Sequence, residues 1–130
     1  MKKKKWITPI IKHLVPTKWH WVVSYPEYLG IGKNVDIGAF TYIQAEYGVY
    51  LYDNVQIGSH CSIYSKSTID NKQGRVRILD NAKIGTHSTI MPGITIGKNS
   101  IIGAYSFVNM NIPDNVIAYG IPVKIRRKIK

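Results

Sequence analysis

Residues 84–104 of this 130-residue chain read IGTHSTIMPGITIGKNSIIGA, with an isoleucine at every sixth position. The spacing continues in both directions, with two extra residues before Leu51 and three before Ile78. The anchor positions are Ile31, Ile37, Ile43, Leu51, Ile57, Ile63, Ile69, Ile78, Ile84, Ile90, Ile96, Ile102 and Val108. A period of six fits neither the 3.6 residues of a helix nor the alternation of a simple strand. A repeat this short predicts a solenoid of stacked coils.

Two further columns accompany the apolar one. Four residues after most anchors the side chain is small or β-branched, as at Thr41, Cys61 and Ser88. Three residues after an anchor, Asn, His or Gly recurs, and these residue types tolerate left-handed backbone geometry. We therefore expect each rung to be one short strand plus a tight corner, with three rungs per triangular coil and just over four coils. The interior of such a prism is narrow and filled, so a binding site must lie outside it, at a corner or between subunits.

The repeat, together with residues 112–124, which read IPDNVIAYGIPVK, resembles the hexapeptide-repeat acyltransferases. The resemblance covers about residues 31–125 and points to the sugar O- and N-acetyltransferases of the maltose and galactoside acetyltransferase type. It implies an all-β fold, the left-handed parallel β-helix, and a homotrimer. It also implies acetyl transfer from acetyl-CoA at each subunit interface. Our hypothesis is that the acceptor is a hydroxyl or amino group of a sugar or nucleotide sugar in cell-surface polysaccharide biosynthesis.

The chain divides into three predicted parts. Residues 1–30 lack the repeat and carry several tryptophans and prolines, which favours a cap that closes the open end of the solenoid. Residues 31–123 form the β-helix, with a polar loop inserted at 70–77, and residues 124–130 form a basic C-terminal tail. An alternative for residues 1–30 is a membrane contact, with Lys2–Lys5 at lipid phosphates and the tryptophans at headgroup level.

The net charge of +11 gathers at the two ends of the chain. Residues 1–18 hold six lysines and residues 124–130 hold five basic residues, both without an acid, and the remainder is neutral. A nucleic-acid-binding domain usually carries its basic groups along one face, so no nucleic acid partner is predicted. The single cysteine, Cys61, excludes a disulfide within the chain, and no apolar run is long enough for a transmembrane helix. We therefore expect a cytoplasmic protein.

The catalytic base is not assigned by the resemblance alone. In the resembled sugar O-acetyltransferases the loop opens with His-Pro-x-Asp, and that histidine is the general base. Residues 64–70 of this chain read YSKSTID, so Asp70 matches the motif but the His-Pro pair is absent. The candidate catalytic residues are therefore His87, His60 and Asp70, since an imidazole titrates near neutral pH and a carboxylate can orient it.

His60 and His87 occupy the same position in IGSH and IGTH. If Ile69 belongs to the loop, the two histidines lie on one edge of the prism, one coil apart; if Ile69 is a rung, they lie on different edges. Either histidine is also explained as a corner residue that stands where asparagine stands elsewhere. His87 is preferred because it closely follows the loop, whereas Glu46, beside a smaller insertion, is interpreted as structural.

On the donor side the resemblance implies two groups of acetyl-CoA contacts. The first lies at motif positions whose backbone groups hold the pantetheine arm and the thioester oxygen: Ser100, Gly103, Ala104 and Ala118. The second follows the turn at residues 120–122, where the family places basic contacts to the phosphates: Lys124, Arg126 and Arg127. Arginine suits this role because its guanidinium offers paired donors to a phosphate.

Two functions of other classes remain as alternatives. One is a non-catalytic β-helix, a scaffold or inactive paralogue that keeps the trimer contacts but does not bind CoA. The other is a metal enzyme like the γ-class carbonic anhydrases, which share the repeat and bind zinc through three histidines at the interface. Only two histidines fall in this repeat, with His13 and His20 outside it, so no metal site is predicted.

Overall fold

The computed structural model describes residues 6–129. Within that range the regular elements are short strands and one 3-10 helix, Pro26–Tyr28. The strands are, in chain order, β1 Val22–Ser24, β2 Leu29–Ile31, β3 Asp36–Ile37, β4 Tyr42–Gln44, β5 Val49–Leu51, β6 Gln56–Ile57, β7 Ser62–Tyr64, β8 Lys66–Ser67, β9 Lys72–Gln73, β10 Val76–Ile78, β11 Lys83–Ile84, β12 Thr89–Ile90, β13 Thr95–Ile96, β14 Ile101–Ile102, β15 Phe107–Val108, β16 Val116–Tyr119 and β17 Lys124–Lys128.

The strands stack into three faces of a prism. The first face runs β1-β4-β7-β12-β15, and the second face consists of β2, β5, β10 and β13 in parallel register. The third face runs β3-β6-β11-β14-β16, and β17 adds to it antiparallel to β16. Because the chain visits the faces in rotation, each coil contributes one strand to each face. The result is a parallel β-helix of about five coils.

A column of apolar anchors holds the coils together. On the first face Val23, Ile43, Ile63, Ile90 and Val108 pair in direct register from coil to coil. All five side chains are fully buried. Burying one such side chain stabilises the fold by about 1.5–3 kcal/mol. The predicted period of six therefore reflects one inward side chain per face per coil.

The small polar residues inside the prism are hydrogen-bonded to corner carbonyls. Thr41 Oγ1 donates to the Gly58 carbonyl at 3.0 Å. Ser88 Oγ and Ser106 Oγ both donate to the Gly103 carbonyl, at 3.2 and 2.6 Å. Burial of these hydroxyls is tolerated because each has a partner. The predicted column of small residues is confirmed at these positions.

The corners differ in the residues that occupy them. The asparagine corner, between the second and third faces, carries Asn34, Asn54, Asn81, Asn99 and Asn115, all with positive φ. The histidine corner, between the third and first faces, carries His20, Phe40, His60, His87 and Tyr105, also with positive φ. The hairpin corner, between the first and second faces, carries the larger insertion. The prediction that Asn and His turn the chain is confirmed.

The larger insertion differs from the predicted loop at 70–77. Ile69 is 98% exposed, so the prediction of a rung there is wrong. The chain leaves the prism after β7, forms the antiparallel hairpin β8–β9, and returns at Val76, which is buried in β10. The insertion therefore occupies about residues 65–75. It was misplaced because Ile69 matches the spacing of six by chance while its side chain faces solvent.

Both predicted end segments also need correction. Residues 1–30 are not all cap, because β1 is the first strand of the first face and His20 occupies the histidine corner. The β1 anchor Val23 precedes Ile31 by eight residues, the same spacing as from Ile43 to Leu51, and the 3-10 helix Pro26–Tyr28 lies in this connection. At the other end, residues 124–128 are the strand β17 and not a free tail. No helix between residues 6 and 129 has the length and apolar character needed to span a membrane.

Candidate functional site

The histidine corner presents a column of aromatic rings along one edge of the prism. The rings of His60 and His87 stack at 4.7 Å between centroids with 2° between their planes. Tyr105 stacks on the other side of His87 at 4.7 Å, and Phe40 lies 5.1 Å from His60. The two histidines thus lie on one edge in neighbouring coils, which is the arrangement expected if Ile69 belongs to the insertion.

His87 has a fixed ring orientation. Its Nδ1 lies 3.0 Å from Thr86 Oγ1, and that hydroxyl donates its own proton to the Ser59 carbonyl at 2.7 Å. Because the hydroxyl proton is already used, Thr86 Oγ1 accepts a hydrogen bond from His87 Nδ1–H. In the neutral imidazole this leaves Nε2 as the proton acceptor. His87 is exposed, so Nε2 can reach a substrate outside the prism.

His60 differs from His87 in its hydrogen bonding. Among the hydrogen bonds of residues 6–129, none involves the His60 ring, which is held by stacking alone. Its tautomer is therefore not selected by a neighbour. The geometry favours His87 as the base and assigns His60 a packing role beneath it.

A backbone donor lies beside His87 on the same corner. Ala104 immediately precedes Tyr105, whose ring stacks on His87, and Ala104 is exposed. Within the described chain the Ala104 N–H makes no hydrogen bond. An amide N–H without a hydrogen-bond partner, close to a general base, is the kind of donor that can stabilise an oxyanion in acyl transfer. The structure thus brings the predicted residues His87 and Ala104 together.

Two of the predicted acetyl-CoA contacts are buried and are withdrawn. Ser100 is 0% exposed, donates to the Pro113 carbonyl at 2.6 Å and accepts from the Val116 N–H at 3.0 Å. Ala118 is 0% exposed in β16, which is paired on both sides. In this chain the polar groups of both residues are already used within the prism.

Gly103 is half-buried at the corner, and coil stacking accounts for its being glycine. A Cβ built on Gly103 would lie 2.8 Å from the Tyr119 Cβ in the next coil. The same crowding occurs one coil earlier, where a Cβ on Gly85 would lie 2.5 Å from the Ala104 nitrogen. The missing side chain lets the coils approach, and it does not by itself identify a ligand contact.

The predicted phosphate contacts lie on β17, at the C-terminal end of the histidine corner. Arg126 donates to the Tyr119 carbonyl from Nε at 3.2 Å and from Nη2 at 3.0 Å, and its guanidinium lies 4.5 Å over the Tyr119 ring. Lys124 and Arg127 are exposed on the same strand. Arg126 is therefore positioned before any ligand arrives, and its remaining donors and the two neighbouring cations suit a phosphate.

Asp70 is not brought to the histidines. It lies at the tip of the hairpin on a different corner, with Lys72 Nζ 3.8 Å from its Oδ2. A hydrogen bond from the Ser67 side chain lowers the pKa of Asp70, with smaller contributions from neighbouring backbone groups and Lys72. A carboxylate with a lowered pKa is a weaker proton acceptor, so Asp70 does not fit the role of base.

Beside the hairpin lies an open groove of about 570 Å³ that the sequence analysis did not predict. Tyr42 and Tyr64 lie edge to face on its floor, with their centroids 6.1 Å apart. Glu46 lines the groove and accepts a hydrogen bond at Oε1 from Gln44 Nε2 at 3.1 Å. Lys66 Nζ lies 3.8 Å from the same oxygen, which leaves Oε2 of Glu46 open to a ligand.

One feature of the sequence, the residue types at outward positions of the first face, could have identified the groove residues. Tyr42 and Gln44 flank the anchor Ile43, and Tyr64 follows the anchor Ile63, so all three occupy outward positions of the first face. Glu46 was interpreted as structural, but it lies beside these outward positions. Large aromatic and amide side chains at outward positions of neighbouring coils indicate a binding face.

Among residues 6–129 no group of three or more His, Cys, Asp or Glu side chains is arranged to hold a metal ion. His20, predicted to lie outside the repeat, stacks on Phe40 at 6.1 Å and so belongs to the aromatic column. His13 Nδ1 accepts a hydrogen bond from the Tyr25 N–H at 2.9 Å.

Comparison with known proteins agrees with this architecture. Residues 75–109 match the family described as bacterial transferase hexapeptide (six repeats). The chain is 39% identical over 115 residues to the galactoside O-acetyltransferase of Lactococcus lactis, an alignment that covers 75% of this chain and 55% of the relative. It is similar to the solved structure of a galactoside acetyltransferase in complex with coenzyme A, with a TM-score of 0.78, 32% identity, and coverage of 85% and 60%.

An N-acyltransferase, AntD from Bacillus cereus, solved in complex with dTDP and 3-hydroxybutyryl-CoA, matches with a TM-score of 0.73 and 25% identity. That alignment covers 88% of this chain and 79% of AntD. The chain spans little more than half the length of the curated relative and 60% of the galactoside acetyltransferase structure. The likeness confirms the predicted left-handed parallel β-helix.

Proposed function

We propose that this chain is a hexapeptide-repeat acyltransferase that transfers an acetyl group from acetyl-CoA to a hydroxyl or amino group of a sugar. The relatives' names supply the reaction class, since one is a galactoside O-acetyltransferase and one related structure holds coenzyme A. One observation in this chain supports the proposal most strongly. His87, whose Nε2 is free to accept a proton, and the Ala104 N–H, which makes no hydrogen bond, lie on the same corner.

In this proposal His87 is the general base. Nε2 takes the proton of the acceptor hydroxyl or amine while that oxygen or nitrogen bonds to the acetyl carbonyl carbon. The Ala104 N–H donates to the carbonyl oxygen, which gains negative charge. The carbon–sulfur bond then breaks, and the His87 imidazolium returns its proton to the departing sulfur. Thr86 keeps the productive tautomer by accepting from Nδ1.

The donor is held by groups that fit its chemistry. Acetyl-CoA carries phosphates at the end remote from its thioester, and β17 offers Lys124, Arg126 and Arg127 as cations. Arg126 is already fixed against Tyr119, so it loses little side-chain freedom when it meets a phosphate. β17 lies at the C-terminal end of the histidine corner, so a single extended ligand could contact both.

The groove beside the hairpin is assigned to the acceptor. Sugar rings stack on aromatic side chains and donate hydroxyl hydrogens to carboxylates, and Tyr42, Tyr64 and Glu46 supply both kinds of contact. Nucleotide-sugar acceptors are supported by the complex of AntD with dTDP. The acceptor groove and the histidine corner lie at opposite ends of the first face of one chain.

A homotrimer brings such separated surfaces together. The prism is filled, and both the corner and the acceptor groove are open to solvent, so neither encloses a substrate alone. A neighbouring subunit that packs its first face against the corner would complete the cleft, and excluding water would strengthen its electrostatic contacts. We place the reaction in the cytoplasm, where acetyl-CoA is made and consumed, in the biosynthesis of cell-surface polysaccharide.

The test is thiol release from acetyl-CoA in the presence of a panel of galactosides, amino sugars and nucleotide sugars. His87→Ala should lower kcat by about 10²–10⁴-fold, the range for loss of a general base. His20→Ala, which removes another ring of the same column, is the matched control and should leave kcat unchanged. A chain that binds no CoA by calorimetry would instead be a non-catalytic scaffold. Equal kcat in the wild type and His87→Ala would refute the assigned base.

A further inference from the structure

The N-terminal segment before β1 carries an exposed apolar surface that the proposed function does not use. We propose that it docks onto an anionic phospholipid surface. The surface, called here the N-terminal patch, consists of Ile7, Ile10, Val15 and Trp19, which are 62%, 84%, 49% and 39% exposed. Hollows of about 360 and 470 Å³ lie between its side chains.

The patch is held in place on the prism. The Leu14 N–H donates to the Val23 carbonyl at 2.8 Å, and the Thr17 N–H donates to the Trp21 carbonyl at 2.9 Å. Trp21 is 3% exposed and belongs to the core. The segment therefore presents its apolar side chains from a fixed backbone, and Trp19 stacks on Trp21 at 6.4 Å between centroids.

The charge around the patch identifies its partner. Lys12 and Lys18 flank it, and Lys18 Nζ lies 4.7 Å over the Trp19 ring. The first acidic residue of the sequence is Glu27, and the preceding residues include six lysines. Four of these, Lys2–Lys5, lie outside the described residues. Apolar and tryptophan side chains rimmed by lysines match the boundary between acyl chains and phosphates of an anionic leaflet.

The same charge argues against a second copy of this chain as the occupant. Two patches placed face to face would bring Lys12 and Lys18 of both copies together, with Asp36 beside the larger hollow as the acidic side chain that lines it. An anionic surface instead gains attraction from each lysine. For an enzyme that modifies sugars, this contact would hold it beside a lipid-linked acceptor, but the docking itself does not depend on catalysis.

The experiment is sedimentation of the purified full chain with phosphatidylcholine vesicles, with and without phosphatidylglycerol. We expect binding only to the vesicles that contain phosphatidylglycerol, weakened by salt. Lys12→Gln with Lys18→Gln should weaken binding about 30-fold, from about 1 kcal/mol per lysine. Ile10→Ser should weaken it about tenfold or more because an apolar side chain no longer inserts.

Matched controls separate the patch from overall charge and hydrophobicity. Lys83→Gln with Lys98→Gln removes the same charge elsewhere, and Ile121→Ser changes an isoleucine that is 77% exposed beyond the last coil. Both controls should bind as the wild type does. Absence of binding to phosphatidylglycerol, or an equal loss in a control, would overturn the proposal. Self-association that Ile10→Ser abolishes, without vesicle binding, would assign the patch to a second copy instead.

Discussion

Replacing Thr86 by valine tests how His87 is prepared for proton transfer. The substitution keeps the shape of the side chain but removes the hydroxyl that accepts from His87 Nδ1 at 3.0 Å. A hydrogen bond of this kind contributes about 0.5–1.5 kcal/mol, so the ratio of the two neutral tautomers should shift about two- to twelvefold. Because only the Nδ1–H tautomer leaves Nε2 free, kcat should fall by up to the same factor.

Two assays test this prediction. The first is kcat for thiol release at saturating acetyl-CoA, compared among the wild type, Thr86→Val and the matched control Thr86→Ser, which keeps the hydroxyl. The second is the ¹⁵N NMR spectrum of the imidazoles, which reports the protonated nitrogen without any acceptor. We expect Nδ1–H in the wild type and in Thr86→Ser, and a mixture of tautomers in Thr86→Val.

A Thr86→Val protein that kept both the wild-type tautomer and the wild-type kcat would refute this role of Thr86. It would also be refuted if Thr86→Ser lost as much activity as Thr86→Val, since the effect would then come from packing and not from the hydroxyl. Thermal melting of each variant shows whether the coil is intact.

The remaining predictions concern burial and charge. Ile63→Ala should cost about 2–5 kcal/mol in urea unfolding because it empties a fully buried position, whereas Ile69→Ala should cost less than about 0.5 kcal/mol; equal losses would contradict the placement of the hairpin. Desolvation raises the pKa of the buried Cys61 thiol, so its alkylation at neutral pH should be slow until the protein unfolds. The same raised pKa means that its contribution to stability is present at neutral pH and is lost as the pH rises through the folded pKa, which unfolding at alkaline pH would show. Glu46→Gln should raise KM for the acceptor and leave KM for acetyl-CoA unchanged; a change in the latter alone would place the acceptor elsewhere.

The sequence predicted the prism because one side chain per face must be apolar in every coil. Ile43, Ile63 and Ile90 follow this rule without exception, and their burial confirms it. The rule failed at Ile69 because spacing alone cannot distinguish a residue of a strand from a residue of an insertion. Ile69 lies six residues after Ile63, as a strand anchor would, but belongs to the insertion. The rule also missed β1, although Val23 precedes Ile31 by the same eight residues that separate Ile43 from Leu51.

The site was less predictable than the fold. Placing His60 and His87 on one edge required knowledge of where the insertion leaves and rejoins the prism. Ser100 and Ala118 match the family motif, but both are 0% exposed in this chain, which their place in the sequence did not reveal. The acceptor groove depends on outward residues of the first face, of β8 and of the N-terminal segment, and these are far apart in the sequence.

We propose that acetyl transfer occurs at the histidine corner, and a crystal structure of the protein with coenzyme A tests this most directly. We expect the CoA sulfur beside His87 Nε2 and the Ala104 N–H, with the phosphates against Lys124, Arg126 and Arg127 on β17. A CoA bound with its sulfur away from the histidine corner, on another face of the prism, would contradict the account.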